Sequence, residues 1–210
     1  MSSTRGHYDA VADSYAARFS NELEGRPLDR AMFAAFAELV LADGPRPVGD
    51  LGCGPGRVTA HLHSLGLSVL GIDLSPAMVS VARQAHPGLR FHQGSLTCLN
   101  LDDGELGGIL ARYSIIHTPP EEVPAVFAEF ERALAPGGYL LLGFQSGDRS
   151  LRVVQAFDHK VSPAYRWPVE QNAELLSQAG FVEVARMRSG PGPADRFHAG
   201  HLLARKPPPG

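Results

Sequence analysis

The chain contains little cysteine, tryptophan and lysine, and it has no long apolar run. Among its 210 residues there are 2 cysteines and 1 tryptophan, so a disulfide framework is not indicated and a reducing, cytoplasmic setting is expected. No apolar run approaches the roughly 20 residues that cross a bilayer. The polar start MSSTRG lacks the apolar core of a signal peptide. These absences argue against a secreted or membrane-embedded protein.

The charge balance also excludes a class of partners. The formal net charge is −3 and the pI is about 6.3, so there is no basic footprint for nucleic acid. A hydrophobic content of 44% and a charged content of 20% are those of a globular protein, and 210 residues suit one domain. The 17 arginines against 2 lysines favour a GC-rich bacterial genome.

Residues 48–56, VGDLGCGPG, combine a short apolar strand with a glycine-rich turn. Glycines let the backbone approach a ligand closely and adopt positive φ. Residues 71–74, GIDL, predict the end of the next strand, with Asp73 at its tip. An acid at that place accepts hydrogen bonds from both ribose hydroxyls of a bound nucleoside. The two segments therefore predict a βαβ unit that holds an adenosine.

The spacing of the glycines narrows the choice of adenosine. Gly52, Gly54 and Gly56 lie two residues apart, whereas a dinucleotide fingerprint reads G-x-G-x-x-G. Asp50 precedes them on the ligand side of the turn, where it would repel a pyrophosphate and attract an ammonium group. S-adenosylmethionine carries an adenosine at one end and an amino acid at the other. At this point the chain resembles the class I S-adenosylmethionine-dependent methyltransferases, whose first motif is usually Asp-Leu-Gly-Cys-Gly-Pro-Gly.

Strand and helix patterns alternate along the chain, which predicts a mostly parallel sheet covered on both faces. The resemblance implies an α/β fold, a Rossmann-like, doubly wound sheet of seven strands with the last one antiparallel. We expect a single methyltransferase domain over residues 1–210. Its parts are an N-terminal lid of helices (1–42), a cofactor-binding core (47–145), an acceptor-pocket insertion (146–167) and a C-terminal helix with a hairpin (168–205).

The resemblance implies a set of cofactor-binding residues. Asp50 would meet the methionine ammonium directly or through water, and Asp73 the ribose. Ser95 stands where many relatives have an acid that accepts from adenine, and Arg57 would meet the methionine carboxylate or remain solvated. The whole expected set is Asp50, Gly52, Cys53, Gly54, Gly56, Arg57, Asp73, Leu74, Met78, Gly94, Ser95, Leu96, Arg112 and Tyr15.

The acceptor site is expected at the carboxyl end of the fourth strand. His117 is the candidate general base, since imidazole titrates near neutral pH; the alternatives are a buried histidine bonded to the backbone or one packed against the cofactor. The residues expected to contact the acceptor are Tyr8, Tyr113, His159, Tyr165 and Trp167. Asp148, Asp158 and His159 show no metal signature, so no metal is expected.

The sequence thus predicts a methyltransferase that acts on an O, N or C atom of a small molecule, mainly by proximity and orientation. The alternatives are a nicotinamide-dependent oxidoreductase on the same fold and a catalytically inactive S-adenosylmethionine-binding subunit. We expect a monomer or homodimer with no nucleic-acid or membrane partner. Gly49 and the pair Gly107-Gly108 depart from the family pattern, and residues 118–121 (TPPE) predict a capping box that opens a helix to Leu134.

Overall fold

The computed structural model of the protein describes residues 2–18, 23–192 and 195–208. Its helices are α1 (Ser2–Arg18), α2 (Pro27–Ala42), α3 (Arg57–Ser64), α4 (Pro76–Ala85), α5 (Val123–Ala133) and α6 (Val169–Gln178). Its strands are β1 (Val48–Leu51), β2 (Val69–Asp73), β3 (Arg90–Gln93), β4 (Leu106–Arg112), β5 (Leu134–Ser146), β6 (Gln155–Phe157), β7 (Ala164–Arg166), β8 (Val182–Ser189) and β9 (His198–Arg205). Among the described helices, none has the length and apolarity needed to cross a membrane.

Seven strands form one sheet in the order β3-β2-β1-β4-β5-β9-β8. Strands β1 to β5 pair in parallel, and β9 pairs antiparallel with both β5 and β8. Strands β6 and β7 form a separate antiparallel pair. The predicted seven-stranded, doubly wound sheet with an antiparallel last strand is therefore confirmed. The chain order reverses between β1 and β4, and ligands of such sheets bind at the carboxyl end of that crossing.

Helices pack against both faces of the sheet because each central strand is apolar on both sides. On one face, Phe33 and Phe36 of α2 join Leu62 of α3 against β1, β4 and β5. On the other face, Phe127 and Phe130 of α5 pack with the strands and with α6. Burial of these side chains supplies most of the stability, at about 25 cal/mol per Å² of apolar surface.

The glycines that depart from the family pattern have packing roles. A Cβ on Gly108 would lie 2.8 Å from the Phe36 ring and 2.9 Å from Val40, so this glycine lets α2 approach β4. A Cβ on Gly49 would lie 2.9 Å from Leu106. Close approach of α2 to the sheet explains Gly108, and the side chain of Leu106 on the neighbouring strand β4 occupies the space beside Gly49. Neither residue lies in the cavity described below.

The predicted capping box at residues 118–121 is wrong. The residues around Thr118 instead form two short 3-10 turns, Ile115–His117 and Pro120–Glu122, and α5 begins at Val123. Consecutive prolines follow Thr118, and a residue before proline is driven out of the helical region. The result is an extended segment that brings His117 toward the sheet edge.

Candidate active site

A cavity of about 320 Å³ lies at the carboxyl edge of the parallel strands, where β1 and β4 diverge. Its walls come from the turn after β1, the ends of β2 and β4, the turn after β3, and the segment that leads into β7. Side chains of α1 line the remaining side. The cavity thus occupies the place where a doubly wound sheet binds its ligand.

The turn after β1 is held against β2 by its own backbone. The N–H groups of Gly52 and Cys53 both donate to the carbonyl of Ile72, at 2.7 and 3.1 Å. Gly52 has φ 81°, and a Cβ there would lie 2.3 Å from the Cβ of Ser114. Gly54 has φ 51° and nothing within 4 Å of the place of a Cβ. The turn is therefore closely packed at Gly52 and open to the cavity at Gly54.

Asp73, at the end of β2, fixes the geometry of that turn. Its Oδ2 accepts the N–H of Gly54 at 2.8 Å, and its Oδ1 accepts the N–H of Ser75 at 2.9 Å. Burial raises the pKa of Asp73, and these backbone donors oppose the rise. Each carboxylate oxygen has a second lone pair. Asp73 can therefore accept two further hydrogen bonds from a ligand in the cavity.

Asp50 is a buried carboxylate on the central strand β1, 2% exposed. Thr59 of α3 donates its hydroxyl to Asp50 Oδ2 at 2.6 Å. Burial raises the pKa of Asp50 to about 7, although the hydrogen bond from Thr59 and the charge of Arg112 act to lower it. A cationic ligand group beside Asp50 would stabilise its charged form.

A hydrogen-bonded chain crosses the cavity from α1 to the segment before β7. The hydroxyl of Tyr8 lies 2.7 Å from His117 Nε2, and His117 Nδ1 lies 2.9 Å from the carbonyl of Pro163. A carbonyl only accepts, so Nδ1 carries the proton and Tyr8 donates to Nε2. Burial lowers the pKa of His117 to about 4 and raises that of Tyr8, so both groups are neutral near pH 7.

Helix α1 is fastened on the other side of the cavity as well. Asp9 accepts the hydroxyl of Ser75 at 2.6 Å and the N–H of Ala77 at 3.3 Å, at the start of α4. Arg57 donates to the carbonyl of Ala16. Helix α1 therefore covers one side of the cavity and is held there by contacts with α3, α4 and the residues around β7.

The turn after β3 forms another wall together with the start of α4. Leu74 and Met78 supply apolar surface there, and Gly94, Ser95 and Leu96 follow the end of β3. The hydroxyl of Ser95 lies 2.9 Å from that of Thr97 within the same turn. These two elements therefore present the apolar side chains of Leu74, Met78 and Leu96 to the cavity.

Arg112 lines the cavity at the end of β4, but its guanidinium belongs to a buried ion pair. Nε and Nη2 donate to Asp29 Oδ2 of α2 at 3.0 and 2.8 Å, and both side chains are about 5% exposed (5% and 6%). His201 Nε2 lies 3.4 Å from the other oxygen of Asp29, and burial lowers the pKa of His201. The next residue, Tyr113, has φ 54°, rare for a bulky side chain.

Comparison with known proteins identifies the family. Residues 48–138 match the family described as "Methyltransferase domain". N-demethylindolmycin N-methyltransferase of Streptomyces griseus is 29% identical over 206 residues, which cover 82% of this chain and 86% of the relative. The chain is therefore an S-adenosylmethionine-dependent methyltransferase, and its fold is that of class I.

Further relatives of this methyltransferase agree in part of their length. Demethylmenaquinone methyltransferase of Chlorobaculum parvum is 30% identical over 142 residues. This match covers 65% of the present chain and 57% of the relative. The structure of 1,6-didemethyltoxoflavin-N1-methyltransferase of Burkholderia thailandensis, with bound 1,6-didemethyltoxoflavin and S-adenosylhomocysteine, superposes with a TM-score of 0.78. That match covers 98% of this chain and 88% of the other at 23% identity, which shows the shared fold.

Most of the residues predicted for the site line one cavity of the methyltransferase. Those that line it are Tyr8, Tyr15, Asp50, Gly52, Cys53, Gly54, Arg57, Asp73, Leu74, Met78, Gly94, Ser95, Leu96, Arg112, Tyr113, His117 and Tyr165. They come from six separate parts of the chain, so only the fold unites them. Their individual roles remain predictions.

Three predicted residues lie outside the lining. Gly56 packs behind the turn, where a Cβ would lie 2.7 Å from the Phe91 ring. Trp167 is fully buried in the hydrophobic core and does not line the cavity. His159 lies one layer back, with its ring centroid 5.0 Å from that of His117.

Several residues at the cavity were not predicted from the sequence. Ser162 and Pro163 precede β7, and Thr4 of α1 lies 3.2 Å from Ser162 between their hydroxyls. Asp29, which lies outside the lining but holds the guanidinium of Arg112, was not predicted either. No local motif marks these residues, because their positions depend on contacts between segments far apart in sequence.

Proposed function

We propose that this methyltransferase moves the sulfonium methyl group of S-adenosylmethionine to an O, N or C atom of a small-molecule acceptor. One observation carries the proposal: the glycine turn, Asp50 and Asp73 share a single cavity with a set of aromatic side chains. The polar half suits the cofactor and the aromatic half suits an acceptor. When bound, the cofactor supplies a methyl group on a positively charged sulfur.

The residues of the polar half fit this cofactor. Asp50 is a buried carboxylate with a raised pKa, and the methionine ammonium would provide the cation that favours its charged form. Asp73 would accept the two ribose hydroxyls while keeping its bonds to Gly54 and Ser75. The open face of Gly54 leaves room for the ligand to approach the backbone. Leu74 and Met78 would cover the adenine.

The aromatic half favours a flat or apolar acceptor. Tyr8, Tyr113, Tyr165 and His117 line this part of the cavity, and ring faces bury flat molecules well. The names of the relatives support a small molecule, since they describe methylation of an indolmycin precursor and of demethylmenaquinone. In this proposal the segment of residues 159–165 forms the acceptor wall and α1 forms the lid.

Catalysis would rest on orientation in a closed site. Contacts of Asp9, Arg57 and Tyr8 hold α1 over the cavity, and in this position α1 would exclude water and restrain the acceptor. Nε2 of His117 is taken by the Tyr8 hydroxyl, so the imidazole reaches an acceptor only through Tyr8.

The remaining parts of the proposal concern the cellular setting. We infer one methyltransferase domain that acts in the bacterial cytoplasm as a monomer or homodimer. A net charge of −3 supports small molecules over nucleic acid as partners.

Incubation with methyl-labelled S-adenosylmethionine and a panel of flat aromatic hydroxyl and N–H compounds tests the proposal. We expect labelled product and S-adenosylhomocysteine to form together, and neither to form with Asp73→Ala. Binding of S-adenosylhomocysteine without turnover of any flat aromatic compound would refute the proposed acceptor class.

The raised pKa of Asp50, about 7, predicts pH-dependent cofactor binding. Only the charged carboxylate attracts the methionine ammonium, so the affinity for S-adenosylhomocysteine should fall about tenfold between pH 8 and pH 6. Asp73 and Arg112 also face Asp50, and their charges contribute to its pKa. Calorimetric titrations across this range provide the measurement. An affinity that is the same at both pH values would remove Asp50 from the ammonium site.

Protonation of Asp50 should affect stability in the opposite direction to cofactor binding, because the neutral carboxyl weakens binding but favours the fold. Because the folded pKa of Asp50 lies above its usual value of 3.8, this carboxyl favours folding when protonated, and that contribution is lost as the pH rises through about 7. Asp50→Asn should therefore raise the melting temperature of the ligand-free protein at pH 8 while weakening S-adenosylhomocysteine binding. Thermal unfolding and calorimetry of the variant check both signs.

A further inference from the structure

The Tyr8–His117–Pro163 chain has a fixed direction. Pro163 offers only a carbonyl, so His117 must donate from Nδ1 and accept at Nε2. Tyr8 must then donate its proton to Nε2 across 2.7 Å. The phenolic oxygen has two lone pairs, and neither is used in this bond because Tyr8 is the donor. Within the part of the chain that the structure describes, no other side-chain hydrogen bond to this oxygen is formed.

The position of Tyr8 gives that oxygen its access to a ligand. Tyr8 lines the cavity from α1, and its ring contacts those of Tyr15 and His117 edge-on, with centroids 5.8 and 5.4 Å apart. His159 packs edge-on against His117 from behind, 5.0 Å between centroids. The His117 ring itself lines the cavity, but both of its nitrogens already have hydrogen-bond partners, Nε2 in Tyr8 and Nδ1 in Pro163. A hydrogen on an acceptor meets Tyr8 before it can reach His117.

We propose that Tyr8 is the catalytic residue that receives the acceptor's hydrogen, and that His117 is a positioning residue that orients Tyr8 and takes its proton. This inference rests on the proposed function. As the acceptor atom X gains its methyl group, the X–H bond breaks and its proton passes to Tyr8 Oη. The Tyr8 O–H bond breaks at the same time and its proton passes to His117 Nε2. The imidazolium formed keeps its Nδ1–H bond to Pro163 and later releases a proton to water.

The chemistry of this relay narrows the acceptor class. Burial favours the neutral forms of both Tyr8 and His117, so the pair takes a proton only from a strongly acidic donor. A hydroxyl oxygen or a weakly basic heteroaromatic nitrogen that gains a methyl group while it still carries its hydrogen is such a donor. An alkyl amine in the same state is only weakly acidic and keeps its proton. We therefore assign the acceptor to flat molecules that present a hydroxyl or a heteroaromatic N–H.

A matched pair of probes tests the contact with Tyr8. In the protein saturated with S-adenosylhomocysteine, 2-naphthol should bind at least fivefold more tightly than 2-methoxynaphthalene, which lacks the hydroxyl hydrogen. Tyr8→Phe should abolish the preference, and Tyr139→Phe, whose ring lies outside the cavity lining, should keep it. 2-Naphthol becomes a strong acid when excited, so its bound emission should come from naphtholate in the wild type and from neutral naphthol in Tyr8→Phe. Equal binding of the two probes, or no binding of 2-naphthol, overturns the proposal.

The histidine has its own readout. In ¹⁵N NMR of histidine-labelled protein, His117 should be the neutral Nδ1–H tautomer from pH 6 to pH 8, with its Nε2 signal shifted by Tyr8→Phe. Tyr15, His159 and Asp73 are the other titratable groups that act on this pair, and variants at these positions should leave the tautomer unchanged. His117→Gln should reduce naphtholate emission. The double variant Tyr8→Phe with His117→Gln should show no less naphtholate emission than Tyr8→Phe alone. An Nε2–H tautomer or additive losses would contradict the relay. If S-adenosylhomocysteine itself does not bind, the proposed function fails. If it binds but the binding preference and emission of the probes do not change in Tyr8→Phe, only this inference fails.

Discussion

Replacing Asp73 with alanine is expected to weaken S-adenosylhomocysteine binding by about 100-fold or more. The proposed role gives the carboxylate two hydrogen bonds to ribose hydroxyls, each worth about 1.5–3 kcal/mol because the acceptor is charged, and every 1.4 kcal/mol corresponds to about tenfold in affinity. The variant also loses the bonds at 2.8 and 2.9 Å that hold the N–H groups of Gly54 and Ser75. Calorimetric titration of both proteins measures the loss directly.

Asp148→Ala is the matched control for Asp73→Ala. Asp148 accepts the N–H of Ser150 at 2.8 Å, just as Asp73 accepts that of Ser75, but it is exposed and lies outside the cavity lining. Its removal should leave the affinity for S-adenosylhomocysteine unchanged within about twofold. A wild-type affinity in Asp73→Ala would disprove the ribose assignment. A thermal unfolding curve for each variant separates lost binding from lost structure.

Arg112→Met is expected to cause the largest loss of stability, about 3 kcal/mol or more. The substitution leaves the Asp29 carboxylate buried without its cation, and the penalty for an unpaired buried charge is about 3–5 kcal/mol. At about 2–4 °C per kcal/mol for a chain of this size, the melting temperature should fall by about 6 °C or more. His201 is 3.4 Å from the same carboxylate, but burial lowers its pKa, so it is a poor substitute for the guanidinium.

The contrast between a buried and a surface ion pair tests this explanation. Arg186→Met removes an arginine paired with Glu183 at 2.6 Å, with the two side chains 44% and 33% exposed, and should cost less than about 1 kcal/mol. The double variant Arg112→Met with Asp29→Leu removes both charges and should recover much of the loss of Arg112→Met. Equal melting temperatures for Arg112→Met and Arg186→Met would contradict the account of the buried pair.

The sheet and the polar half of the cavity were predictable because their signals are local. The turn VGDLGCGPG, the acid at the tip of the next strand and the alternation of strands and helices each lie within a few tens of residues. Parallel strands align their carboxyl ends at one edge of the sheet. For that reason residues after β1, β2, β3 and β4 could be assigned to one site before their positions were known.

The parts that could not be predicted depend on contacts between distant segments. Trp167 was expected in the acceptor wall because it is the sole tryptophan of the insertion, but β7 ends at Arg166 and the Trp167 side chain is fully buried in the core. The ion pair of Asp29 with Arg112 joins residues 83 positions apart. The contact between Tyr8 and His117 spans 109 positions, and nothing in either local sequence indicates which ring nitrogen Tyr8 would meet.

Binding of S-adenosylmethionine in the cavity underlies every role proposed above. Its most direct test is a calorimetric titration of the purified methyltransferase with S-adenosylhomocysteine, NAD and NADP in parallel at pH 8, where Asp50 is mostly charged. We predict one-to-one binding of S-adenosylhomocysteine and no detectable heat of binding with either nicotinamide cofactor. Binding of NAD or NADP in preference to S-adenosylhomocysteine would contradict the account.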